Sequence, residues 1–142
     1  IGLKMKITKK PNFGKYKKAV DNLKQGLGTA TNETITEIQK RTQSGKDYKG
    51  SSFTKYSDDY KEYKSKHYGS SRVNLTQTGN MLHSITSKKI KNGIRLYFGS
   101  SSENKKAYHN QVTNKRKFFG LSTKQKDRLL EIVKNYYKKQ TK

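Results

Sequence analysis

The stretch Leu75-Thr-Gln-Thr-Gly-Asn-Met-Leu-His-Ser-Ile85 changes its periodicity midway, and that change limits the folds open to the chain. Thr78 can cap a helix that begins at Gly79, because its hydroxyl can accept a backbone N–H two or three residues on. Met81, Leu82 and Ile85 stand at i, i+1 and i+4 and make one apolar edge, while the residues from Ile85 onward are β-branched and alternating. One or two helical turns therefore feed directly into a strand. A chain organised on such a junction is α+β. The reading is a long N-terminal helix, a small antiparallel β-sheet with a central hairpin, and a C-terminal helix packed on the sheet.

The flanking segments supply these parts. Tyr16, Ala19, Val20, Leu23, Leu27, Ala30, Ile35 and Ile38 approximate one helix face, with a bend or interruption expected near Gly26 and Gly28. Tyr56, Tyr60 and Tyr63 fall at i, i+4 and i+7, so a short helix from about Ser57 would carry a tyrosine stripe, read as packed on the domain. After Ile85 comes a hairpin. A three-residue loop, Lys91-Asn-Gly93, would pair Ile90 with Ile94 and put Ile90, Ile94, Leu96 and Phe98 on one face. Residues 103 to 111 read as helical, with Ala107 and Tyr108 inward. The last segment is the clearest helix: Ser122 and Gln125 form a capping box, and Leu129, Leu130, Val133, Tyr136 and Tyr137 recur at helical spacing.

With 142 residues the chain suffices for one domain, but only 29% are hydrophobic and the mean hydropathy is −1.16. Ten Tyr and five Phe oppose disorder, because each ring brings a large buried area. The division expected is a flexible basic arm over residues 1–14, with one strand at Leu3 to Ile7, and a single domain over residues 15–140.

Several chemistries are excluded. Without Cys there are no disulfides or thiolate metal sites, and the histidines at 67, 83 and 109 have no helical i, i+4 partner among themselves. No apolar run approaches the length of a membrane span, and the first residues carry no signal-peptide h-region. Gly26-Leu-Gly28 and Ser44-Gly45-Lys46 lack the context of a phosphate loop. Asp58, Asp59 and Glu62 sit among lysines and read as surface ion pairs, and no serine has a nucleophile-elbow context. The chain reads as a protein that is not an enzyme, with no catalytic, cofactor-binding or metal residues. Its charge is the largest signal: 33 Lys+Arg against 10 Asp+Glu give +23. Nearly all the cations are lysines, point charges without the planar fork that reads base edges. A solvated lysine surface, or non-specific contact with DNA or an acidic protein, fits better than sequence-specific recognition.

The 75–85 run, His109-Asn-Gln111, and Arg116-Lys-Phe-Phe-Gly-Leu-Ser122 opening the terminal helix stand in one order. Together with Arg41-Thr42, Gly45, Gly50-Ser-Ser-Phe53, Tyr56-Ser57, Tyr60 and Lys64, they resemble the virion-morphogenesis, or tail-completion, proteins of tailed bacteriophages of the Mu-like type. The resemblance covers roughly residues 15 to 140. It departs from the pattern at Val112, where a glycine is expected, and before Arg116, where the usual proline is missing. It implies a structural protein of the virion neck or tail end, present in the host cytoplasm during assembly and acting in tail completion or head–tail joining. The implied partners are further copies in a ring around the DNA channel, such as a hexamer, and neighbouring neck, connector or tail proteins. Thr78, Gly79, Leu82, His109, Gln111, Arg116, Phe118 and Phe119 are its structural or interface candidates. The alternative is a non-specific basic nucleic-acid-binding protein.

Overall fold

The computed structural model describes residues 2–6, 17–91 and 93–141. In chain order the elements are β1 (Gly2–Lys6), α1 (Lys17–Gln43), α2 (Asp58–Tyr68), α3 (Asn80–His83), β2 (Ile85–Ile90), β3 (Gly93–Phe98), α4 (Ser101–Tyr108), a π-helical turn (His109–Thr113) and α5 (Thr123–Thr141). The fold is α+β. Its strands form one antiparallel sheet in the order β1-β3-β2, so the arm expected over 1–14 contributes an edge strand over Gly2–Lys6. Ile7, the rest of that arm, Tyr16 and Asn92 lie outside the described residues, as do the side chains of Ala19, Val20, Leu23 and Tyr137.

The sheet buries one face. Ile94, Leu96 and Phe98 of β3 alternate inward, and Ile85 of β2 and Leu3 of β1 join them. Around this row gather Ile38 of α1, Met81 and Leu82 of α3, Ala107 of α4, and Phe53, Leu75, Phe118 and Phe119 from the connections. The expected hairpin register is corrected: Ile90 pairs with Gly93 and Lys89 with Ile94, leaving two residues between the strands. A two-residue connection matches the strand twist better than the three-residue loop expected from the apolar pattern. Ile90 therefore lies on the opposite face from Ile94, and the far end of the β2 inner face carries exposed Ser87 and Lys89.

α1 runs unbroken for 27 residues through both glycines, where an interruption was expected. For Gly26 the reason lies 110 positions away in the chain. A Cβ on Gly26 would stand 3.0 Å from the Tyr136 Cβ of α5, so Gly26 is the point where the two helices approach. Thr29 Oγ1 donates to Tyr136 Oη nearby at 3.1 Å. The buried stripe of α1 is mostly small and hydroxylic: Ala30, Thr31, Thr34, Ile38 and Thr42. Thr31 and Thr34 return their hydroxyl protons to the carbonyls of Leu27 and Ala30, four residues back, at 2.7 Å each. Such internal bonds let Thr31 and Thr34 be buried without an unsatisfied donor, whereas Thr42 Oγ1 is buried with no hydrogen-bond partner among the described residues. A chain poor in aliphatics can thus build a close helix interface.

α5 packs chiefly along α1 and not on the sheet as expected. Its capping box forms: Ser122 N–H donates to Gln125 Oε1 (2.9 Å) and Gln125 N–H to Ser122 Oγ (3.2 Å). The same Gln125 Oε1 accepts from Arg41 of α1 at 2.9 Å, and Arg41 also donates to the carbonyls of Phe118 (2.6 Å) and Gly120 (2.9 Å). One guanidinium therefore sets where α5 starts against α1. Tyr108, expected inward, is exposed, while Ala107 beside it is fully buried.

The two glycines of α1 separate packing from propensity. Nothing lies within 4 Å of a Cβ on Gly28. Gly28→Ala is expected to raise stability by about 0.5–1 kcal/mol through helix propensity. Gly26→Val is expected to lower it by about 1–3 kcal/mol, because α5 must move away from α1. Thermal melts followed by circular dichroism check both; equal shifts in the same direction would contradict the assigned contact.

Candidate functional site

Tyr56 is the meeting point of helix α2 with connections that have no regular structure of their own. Its ring carries the Lys64 ammonium at 5.1 Å and the Arg116 guanidinium at 4.8 Å. Its hydroxyl accepts the backbone N–H of Leu75 at 3.2 Å, at the start of the 75–85 run. Leu75 adopts φ 52, a left-handed conformation that costs a residue with a Cβ about 1–2 kcal/mol. The burial of its side chain in the core and the bond from Tyr56 hold it there.

Lys64, on α2, is 1% exposed and donates at 2.6 Å to both the Arg72 carbonyl and Asn74 Oδ1. It is the residue of α2 that is buried, in place of the tyrosine stripe expected there. Tyr63 and Tyr68 are exposed instead, and Tyr63 stacks obliquely on His67 with centroids 4.4 Å apart. Arg116 is also buried, and donates to the carbonyls of Thr54 (3.1 Å) and Lys55 (3.3 Å) and to Asn110 Oδ1 (3.3 Å). Desolvation lowers the pKa of Lys64 and of Arg116 and raises that of Tyr56.

The candidates near the C-terminal half fall into one cluster. The Gln111 side chain bonds twice to the Phe119 backbone, accepting its N–H at 3.1 Å and donating to its carbonyl at 3.4 Å. That pair draws the 115–121 segment under the π-helical turn. Phe118 and Phe119 then enter the core beside Phe98, at 6.1 and 5.0 Å between centroids. Where the resemblance expects a glycine and a proline, the chain uses the wide turn at 109–113 and a left-handed Lys115, φ 54. His109 is exposed at the start of that turn.

At the helix-to-strand junction the cap is Gly79 and not Thr78. Gly79 has φ 85, which lets α3 begin at Asn80; the exposed Thr78 hydroxyl meets the Asn80 N–H only at 3.4 Å. Leu82 is fully buried, and its carbonyl accepts from Gln39 Nε2 of α1 at 3.0 Å. Leu82, Phe118 and Phe119 thus share one core with Arg116 and Gln111 at its edge. Thr78 and His109 are left on the surface.

Sequence reasoning missed a second constellation, on the outer face of the sheet. Lys4 of β1 pairs with Arg95 of β3, and Arg95 pairs with Lys88 of β2, so three cations form one row across three strands. The row borders a concavity of about 550 Å³ that also includes Tyr97 and the first residues of α4. Only the register brings these residues together, although Arg95 and Tyr97 already stand at a strand period outside the apolar set. Among the described residues no three His, Cys, Asp or Glu side chains are grouped to hold a metal ion. No helix among them is long and apolar enough to cross a membrane.

Two measurements examine the Tyr56 and Gly79 assignments. Burial favours the neutral phenol of Tyr56, so its stabilising contribution is whole below the ordinary tyrosine value of about 10 and is lost as pH rises through the higher folded-state value. A phenolate absorbance titration is expected to show late ionisation of Tyr56 and Tyr60, and Tyr56→Phe is expected to remove one tyrosine's share of that late absorbance; loss of the share from the ordinary range instead would refute the buried placement. Gly79→Val forces a β-branched residue to φ 85 and is expected to cost at least the roughly 1–2 kcal/mol of the left-handed conformation, read as a lowered Tm.

No known family model, no curated protein and no solved structure matches the chain.

Proposed function

We propose that the chain is a non-catalytic structural protein of a tailed-phage virion, acting at the neck or tail end in tail completion or head–tail joining. Subunits associate in a ring around the DNA channel and bind neighbouring neck, connector or tail proteins. The resemblance of the 75–85, 109–111 and 116–122 runs to virion-morphogenesis proteins supports this reading. Most of those residues hold the fold and offer no reacting group: Gly79 caps, Leu82, Phe118 and Phe119 pack, and Gln111 and Arg116 tie loops to the core. That division of labour suits a scaffold whose product is a shape.

The observation that carries the ring is the sheet order β1-β3-β2, which leaves two unlike edges, β1 and β2, without a strand partner among the described residues. An edge strand offers a ready row of backbone donors and acceptors to another chain. Pairing one edge with the opposite edge of the next copy is a heterologous contact, which closes into a ring when the rotation permits. Exposed Ser87, Lys88 and Lys89 on β2 keep that edge polar, so association needs a defined partner and not general stickiness.

Electron microscopy of lysates from the source phage with this gene disrupted tests the role. Filled heads beside separate tails, or tails with ragged ends, are expected. Intact particles in normal numbers would overturn it.

A further inference from the structure

We propose that the outer face of the sheet binds the phosphodiester backbone of nucleic acid, centred on the cross-strand row Lys4, Arg95 and Lys88. This inference does not rest on the ring.

The row is a cost to the isolated fold. Directly opposed residues on neighbouring strands have their Cβ atoms about 5 Å apart, and like charges in that relation destabilise a sheet. Here the relation occurs twice in succession, Lys4 against Arg95 and Arg95 against Lys88. The concavity beside the row is lined by no Asp or Glu among the described residues, so no carboxylate borders the row there. An arrangement of like charges that is unfavourable alone is relieved by an anion.

The surroundings keep the row open. Gly2 sits over the Arg95 stem, where a Cβ would come to 3.9 Å of Cγ and Cδ; a larger residue would cover it. α4 begins at the same concavity with Ser100 and Ser101, so its positive end faces the space that the three cations border. Asn104 and Tyr97 complete the lining, and Lys88 Nζ lies 5.5 Å from the Tyr97 ring centroid.

The chemistry selects the ligand. Three cations on adjacent strands span about 10 Å at the usual strand spacing of about 4.8 Å, a line suited to successive charges on one polyanion. Two lysines and one arginine, without a bidentate pair directed at base edges, fit phosphate contacts that position a nucleic acid without reading its sequence. A protein partner would require an apolar centre inside the polar rim. Phe98 is in the lining, but its side chain is buried in the core and offers none.

Fluorescence anisotropy with a labelled DNA duplex, measured over a range of salt on the purified chain, tests the site. The variant Lys4→Gln/Lys88→Gln/Arg95→Gln is compared with a control, Lys61→Gln/Lys66→Gln/Lys105→Gln, whose three lysines are exposed elsewhere. Both lower the +23 net charge by the same amount. Because each phosphate contact contributes about 0.9 to the slope of log K against log salt, the face variant is expected to flatten the slope by about two to three and the control to leave it unchanged. Should loss of Arg95 impair folding, Lys4→Gln/Lys88→Gln carries the test with an expected loss of about two. Equal losses in face and control variants, or no salt-dependent binding by the wild-type chain, would overturn the proposal. So would a face variant that keeps duplex binding and loses binding to poly-glutamate, which would assign the face to an acidic protein. Failure of the virion role with duplex binding intact would remove the neck assignment alone.

Discussion

Cations that donate to oxygens other than carboxylates hold this fold together. In a chain with 33 basic and 10 acidic side chains carboxylates are scarce, and three enclosed cations are held without one. Arg41, Lys64 and Arg116 send their hydrogen bonds to backbone carbonyls and to the side-chain oxygens of Gln125, Asn74 and Asn110. Hydrogen bonds to charged groups contribute about 1.5–3 kcal/mol each, against the desolvation that lowers the pKa of all three. Each cation closes one irregular stretch onto a regular element. Arg41 draws the residues before α5 onto α1, Lys64 ties the 72–74 turn to α2, and Arg116 binds the chain before α2 to the segment after α4.

This device explains how so few aliphatic residues suffice. The core cluster takes about a dozen side chains around the inner face of the sheet, and four of them are Phe. Where α1 and α5 meet at Gly26 and Tyr136, glycine, threonine and tyrosine make the contact in place of aliphatics. Beyond these two regions the connections are anchored by polar contacts, which a low-hydropathy composition can supply in number.

Elements written in short-range signals were legible in the sequence. The periodic face of α1, the Ser122–Gln125 capping box, the start of α2 after Ser57 and the junction at residues 79–85 each depend on residues within a few positions of one another. What escaped depends on distant partners. The hairpin register turned on one residue of loop length, and Ile90 was placed on the wrong face because isoleucine reads as buried wherever it falls. Gly26 looked like a helix breaker because Tyr136 is remote in sequence. The burial of Lys64 carries no periodic signal, although its two oxygen partners lie only eight and ten residues on. For the candidate site, Gly79, Leu82, Gln111, Arg116, Phe118 and Phe119 fall where the fold is held, and the cross-strand row was invisible until β1 found its place beside β3.

The π-helical turn after α4 sets a constraint on chain length. Asn114 N–H reaches back five residues to the His109 carbonyl, so this turn holds one residue more than an α-helical turn would. Val112 and Thr113 are exposed, and their identities are open to change. Their number is not. Removing one residue here would rewind the turn and rotate the following chain by about 100° around the helix axis. Gln111 would then lose its line to Phe119, and Arg116 its line to the carbonyls of Thr54 and Lys55. Insertions and deletions between 109 and 115 should thus be tolerated poorly, although surface connections ordinarily accept them.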